Sequence, residues 1–242
     1  MELLETIILS VLGGILPALL WLSYWLREDK KRPEPRSLIA LSFILGMVAV
    51  PAALVAQWFI NEAFVTNTSI ATLFQNSYFT ALFVLIAWAV IEEILKFLAA
   101  YFGGISHKAN DEPMDVLIYL ITAALGFAAL ENTLFIFSPI LQGELGLAFI
   151  TGNLRFIGAT LLHIASSALI GVFLAFSYYK QTVKKRQYLI WGFILSVTLH
   201  TVFNSFIIRA KGFTLVGFST VWISIVAIIL IFEKVKKIKN LK

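Results

Sequence analysis

The sequence predicts an all-α, polytopic transmembrane protein: a bundle of about seven spanning helices, with the N-terminus outside and the C-terminus in the cytosol. Composition gives the class. Hydrophobic residues make up 60% of the 242, charged residues only 14%, and the mean hydropathy is +0.89, against roughly 45–50% apolar and 25% charged in ordinary soluble domains. Segmentation gives the helix number, because seven apolar runs are each long enough, at about 1.5 Å of rise per residue, to cross a hydrocarbon core about 30 Å thick.

The first run, near 5–26, has no basic n-region or small-residue cleavage site and is too long for a signal peptide, so it is expected to stay as a helix. The second lies at 37–60 and the third at 77–102, with Glu92, Glu93 and Lys96 inside it. The fourth, 116–138, holds Glu131; the fifth, 154–179, holds His163; the sixth, 188–208, holds His200 and Asn204; the seventh lies at 214–232. The longest stretch between runs is the outer loop from Asn61 to Asn76. The chain therefore reads as one membrane domain, 1–242, without a detectable repeat.

Loop charges orient the bundle. Fifteen of the 19 basic residues fall in alternate loops and the tail, led by Arg27, Lys30, Lys31, Arg32 and Arg36, then Lys108, the Lys180–Arg186 cluster and the Lys234–Lys242 tail. The opposite side has only Arg209 and Lys211, which by the positive-inside rule puts the tail in the cytosol of a cell membrane. The net charge of +5 is thereby explained by topology, and no nucleic-acid partner is expected. No cysteine is present, which excludes disulfides, thiolate catalysis and Cys-based metal sites.

Ionisable side chains inside spanning helices are costly and usually mark chemistry or transport. Counted from the cytosolic helix ends, Glu93 lies about 14 Å deep, His200 about 18 Å, Glu131 about 22 Å and His163 about 24 Å. They share one slab, as a common cavity requires. Glu92 and Lys96, four residues apart, are spaced for an ion pair with Lys96 as orienter. Glu93 lies about 100° around the helix from Glu92, beyond the comfortable reach of the same lysine. Two carboxylates this close in a low-dielectric site resist double ionisation, which suits one of them to acid–base work. Taken singly, Glu131 also reads as a packing hydrogen-bonder and His163 as a neutral imidazole on a backbone carbonyl; Arg155 is expected near the rim of the cavity, a snorkelling anchor at the interface being its other reading. His200 and Asn204, at i, i+4, aim an imidazole and an amide into one space, where they can bind water or a metal and hold an oxyanion. No G-x-S-x-G, S-x-x-K or H-E-x-x-H pattern supplies a nucleophile or a compact zinc helix. Chemistry would proceed through an activated water.

Glu92-Glu93-x-x-Lys96, Asp111-Glu112-Pro113-x-Asp115-x-x-x-Tyr119, Gly126-Phe127-x-x-x-Glu131-Asn132, His163 and His200-x-x-x-Asn204 together resemble the PrsW intramembrane proteases, relatives of the CAAX prenyl endopeptidases and the wider CPBP group. The resemblance covers about 77–208. CAAX endopeptidases have F-x-x-x-H where this chain has Phe127-x-x-x-Glu131, and Arg where it has Lys96, which favours the PrsW branch. What the resemblance implies is an intramembrane endopeptidase with its catalytic core at 77–208. Glu93, assisted by Glu92, would activate water; His200 and Asn204 would polarise the carbonyl or bind a metal, with Glu131 and His163 completing the site. The implied substrate is a single-span membrane protein in the bilayer, such as an anti-sigma factor in a stress response. A glutamate-activated water and a metal-bound water use the same residues, so no cofactor is fixed by them; if the enzyme is a metalloenzyme, zinc held by Glu93, His163 and His200 is the expectation. Two other classes stay open: a proton-coupled transporter, and a non-catalytic membrane scaffold or immunity protein. Transporters commonly have internal repeats and broken helices at their sites, and the four site-bearing runs contain no proline.

Overall fold

The computed structural model of the chain describes residues 2–28, 32–66, 77–209 and 213–238. Among these residues the regular structure is helical throughout: α1 (Leu3–Glu28), α2 (Arg36–Asn61), α3 (Ser77–Ala100), α4 (Pro113–Leu141), α5 (Leu145–Ile157), α6 (Ala159–Phe176), α7 (Thr182–Arg209) and α8 (Thr214–Val235). A π-helical turn continues α2 over Glu62–Thr66, and another continues α3 over Tyr101–Ile105. Six stretches are long and apolar enough to cross a membrane, with α5 and α6 counting together as one. The other, α3, is also long enough, at 24 residues, and carries Glu92, Glu93 and Lys96 in its interior. The expected outer loop lies mostly outside the described residues, as do Lys30, Lys31, Lys211, Lys239 and Lys242.

α4 is the axle of the bundle. It is apolar all round, as a helix surrounded by others must be, and 94% of its spanning window is buried. The helices α1, α2, α3, α5 and α6 pack directly against it. Its start is fixed by chemistry in the Asp111–Asp115 motif: Pro113 occupies the first turn, and the Glu112 backbone N–H donates to Asp115 Oδ2 at 2.8 Å. A proline lacks the N–H that would be orphaned there, and the aspartate satisfies a donor that would. α2 and α4 approach closely, so that a Cβ at Gly46 would collide with the Ala123 carbonyl and one at Gly126 with the Phe43 carbonyl. Both positions let backbone meet backbone, which places α2 against the site.

Hydropathy located the apolar runs but not the helix ends. The run expected as one helix over 154–179 is two, bent at Gly158 (φ −118, ψ −78), and helix begins at Leu145. α7 starts at Thr182 rather than 188, because Lys184, Lys185, Arg186 and Gln187 continue the helix beyond its apolar part. α4 likewise extends far enough to include Pro139, so the site helices are not free of proline. On the outside, large apolar side chains such as Leu20, Leu215 and Ile223 are exposed, the surface that a lipid bilayer covers.

Candidate active site

Glu92 and Glu93 are consecutive on α3, so they point about 100° apart and enter different surroundings. Glu93 is fully buried between α3, α6 and α7. Its Oε1 lies 2.5 Å from Lys96 Nζ, accepts from Ser166 Oγ at 2.8 Å and sits 2.7 Å from His200 Nδ1; Ser167 Oγ reaches its Oε2 at 3.4 Å. The expected Glu92–Lys96 pair is therefore replaced by Glu93–Lys96, at i, i+3. The same ammonium lies 3.1 Å from His163 Nδ1 and 5.4 Å from the centre of the Phe127 ring.

Glu92 faces the other way. Gln57, from α2, donates its amide to Glu92 Oε1 at 2.8 Å. Glu92 Oε2 is buried and has no hydrogen-bond partner among the described residues, and it lies 3.5 Å from His200 Nε2 and 4.0 Å from His163 Nδ1. When His200 gives its Nδ1–H to Glu93, a neutral imidazole presents a bare lone pair at Nε2. Two acceptors then face one another, an arrangement that a water or a metal ion between them satisfies.

Glu131, on α4, closes the far side. Its Oε2 lies 2.9 Å from His163 Nε2 and also pairs with Arg155. Arg155 Nε donates to Asn132 Oδ1 at 2.6 Å, and Asn132 passes its amide to Thr160 Oγ1 at 2.9 Å. The guanidinium covers the Phe135 ring at 3.8 Å. Arg155 is thus part of the polar network rather than a snorkelling anchor.

These side chains line a cavity of about 530 Å³, together with Asn204. Glu92, Glu131, His163, His200 and Arg155 reach it, while Glu93 stands behind them. Most of the wall is apolar, from Leu54 on α2 and Trp88 on α3 to Phe203 on α7. All six residues expected from sequence come to this place: five form a linked polar network and Asn204 lines the same space. Sequence reading missed Gln57, Ser166, Ser167 and Thr160. Ser166 and Ser167 lie three and four residues after His163, on its helical face, a spacing that could have revealed them. Gln57 is the sole amide in the run 37–60.

The sequence profile of the PrsW family of intramembrane metalloproteases matches residues 34–232. The chain belongs to the PrsW family. It is 29% identical to the Protease PrsW of Geobacillus kaustophilus (strain HTA426) over 195 residues, covering 79% of this chain and 76% of that one. It is 29% identical to the Protease PrsW of Oceanobacillus iheyensis over 212 residues, covering 86% and 87%, and to that of Bacillus subtilis (strain 168) over 164, covering 68% and 65%. No solved structure matches the chain. As a PrsW-family member it is a multi-pass membrane protease of the bacterial cell membrane, and its substrate is protein.

The metal implied by the family description has a fitting donor set. Glu92, His163 and His200 each offer a ligand atom, all within 4.8 Å of one another and all buried, a carboxylate and two imidazoles of the kind zinc takes. Where Glu93 was expected in this set, the converging carboxylate is Glu92; Glu93 Oε1 instead meets Lys96, Ser166 and His200, with Ser167 Oγ 3.4 Å from Oε2.

Proposed function

We propose that this protein is an intramembrane endopeptidase that hydrolyses a peptide bond of a single-span membrane protein, with Glu92 as the proton acceptor for the attacking water. The observation that carries this reading is the unpartnered Glu92 Oε2 facing His200 Nε2 at 3.5 Å within the cavity. A water there can donate one hydrogen to each acceptor, leaving its oxygen lone pairs directed at a substrate carbonyl.

As the oxygen adds to the carbonyl carbon, Glu92 Oε2 takes the proton. Collapse of the tetrahedral adduct breaks the C–N bond, and the protonated Glu92 returns its proton to the departing nitrogen. The products are a carboxylic acid and an amine, which exchange that acid's proton to become a carboxylate and an ammonium. The Asn204 amide, one helical turn beyond His200, donates to the carbonyl oxygen as it becomes negative. Glu93 holds His200 in the tautomer that bares Nε2, and Glu131 holds His163 beside it. Alternatively, Glu92, His163 and His200 would hold a zinc ion, which would take the lone pairs that otherwise receive the water's hydrogens and would supply Lewis-acid activation of water.

The catalytic core is placed at 77–208 within a single membrane domain, with the N-terminus outside. The depth count then sets the site toward the outer leaflet, where a substrate helix must unwind locally to expose a carbonyl. A membrane-anchored anti-sigma factor in a stress cascade is the candidate substrate. The deciding experiment is reconstitution with a membrane-anchored peptide: wild-type protein should cleave it near its extracytoplasmic boundary, and Glu92→Gln should not. Solute-coupled proton flux without cleavage, unchanged by Glu92→Gln, would overturn the protease reading.

A further inference from the structure

Glu92 has no partner on its own helix, since Lys96, the neighbour spaced to serve it, is occupied by Glu93 and His163. A carboxylate left with two free oxygens could rotate its Oε2 away from the imidazoles. The contact that prevents this comes from Gln57 on α2, outside the sequence segment that carries the catalytic motifs. Only the nitrogen of the amide can donate to a carboxylate, so the 2.8 Å contact fixes which end of the amide faces Glu92 Oε1. With Oε1 pinned, Oε2 is left directed at His200 Nε2 and His163 Nδ1. Gln57 also lines the cavity, and it reaches there because the glycines at 46 and 126 bring α2 onto α4.

We propose that Gln57 is a positioning residue for the hydrolysis, holding Glu92 in its proton-accepting orientation through a neutral hydrogen bond. This rests on the assignment of Glu92 as proton acceptor. Neutrality is the useful property: a lysine or arginine in its place would orient the carboxylate but also neutralise it, and so weaken it as a base. The amide restrains one oxygen and leaves the other basic.

The test compares Gln57→Leu, Gln57→Glu and Glu92→Gln in purified, detergent-solubilised protein acting on a membrane-anchored peptide. Loss of a hydrogen-bond partner behind a reacting group typically lowers activity about 10–100-fold. Gln57→Leu should lower kcat by that factor with KM within about twofold, because the lost contact orients Glu92 and does not touch substrate. Gln57→Glu gives a readout that a packing role would not move. When protonated, the introduced carboxyl can still donate to Glu92 Oε1; when ionised, it repels it. That variant should therefore be active toward acid pH and lose activity as pH rises, a limb absent from the wild-type profile. A Gln57→Leu protein that melts like wild type and keeps its kcat, or a Gln57→Glu protein with the wild-type pH profile, would overturn the proposal while an inactive Glu92→Gln left the protease assignment standing. Full activity in Glu92→Gln would remove both.

Discussion

Lys96 Nζ sits 2.5 Å from Glu93 Oε1 and 3.1 Å from His163 Nδ1, so one buried ammonium joins the carboxylate of its own helix to the imidazole of α6. Both members of the ion pair are fully buried. Such a pair is weak evidence for net stability, yet removing one partner leaves an uncompensated buried charge. The same contact supports the proposal that Glu92, rather than Glu93, accepts the proton: Glu93 Oε1 already meets Lys96, Ser166 and His200, and Ser167 Oγ reaches Oε2 at 3.4 Å.

Lys96→Met should therefore destabilise the folded protein by about 3–5 kcal/mol, the usual penalty for breaking a buried pair. Lys96→Met combined with Glu93→Gln should recover much of that loss, since no orphan charge remains. Denaturation of the two variants and wild type in the same detergent measures the difference. Equal stability of the single and double variants would show that the ammonium does not compensate Glu93.

The two neighbouring glutamates should separate kinetically. Glu92→Gln keeps its shape but cannot accept a proton, and should lower kcat by about 10²–10⁴-fold, the range of general-base catalysis. Glu93→Gln can still touch His200 but loses the charge that sets its tautomer, and should cost about 10–100-fold, as for partners behind a ligand or base. Single-turnover cleavage of one peptide by both variants checks the order. A reversed order would return the proton-accepting role to Glu93.

Hydrophobic runs and buried charges made the all-helical membrane class legible from sequence, and the depth count put Glu93, Glu131, His163 and His200 in one slab. What it could not supply was azimuth. Glu92 and Glu93 differ by one residue, and which of them faces Lys96 depends on how α3 is rotated against α6 and α7. Helical spacing allows either i, i+3 or i, i+4 pairing, and tertiary packing chose the former. Gln57 was hidden for a related reason. Its contact with Glu92 spans 35 residues of chain and depends on the α2–α4 approach at Gly46 and Gly126, which no local pattern encodes. The bend at Gly158 escaped because the hydropathy is continuous across it.

That α2–α4 approach yields its own prediction. Gly126→Ala would drive a methyl group into the Phe43 carbonyl, and because backbone rather than a flexible side chain receives it, the helices must separate. Overpacking of this kind typically costs about 1–3 kcal/mol. Separation should also carry Gln57 away from Glu92, so activity should fall along with stability. Crosslinking between cysteines introduced on α2 and α4 reports the spacing, and an unchanged crosslinking yield with full activity would contradict the close-contact account.

Metal binding can be tested without reference to turnover. Two imidazoles and a carboxylate within 4.8 Å should take up one zinc ion per chain in purified protein, measured by equilibrium dialysis. His200→Ala and Glu92→Gln should each reduce that binding steeply, whereas Asn204→Ala, which removes none of the three donors, should leave it intact. Binding requires neutral imidazoles and an ionised carboxylate, so protons compete and affinity should fall as pH is lowered. Lys96 adds a further signature. Its ammonium already occupies the neighbourhood of His163 Nδ1 at 3.1 Å and opposes a second cation there, so Lys96→Met should bind zinc more tightly than wild type if it stays folded, and the compensated Lys96→Met/Glu93→Gln protein serves if it does not. If proteolysis depends on the bound ion, chelation should abolish cleavage and added zinc restore it. Cleavage that persists at full rate in metal-free protein, with Glu92→Gln still inactive, would assign the water's activation to the glutamate alone.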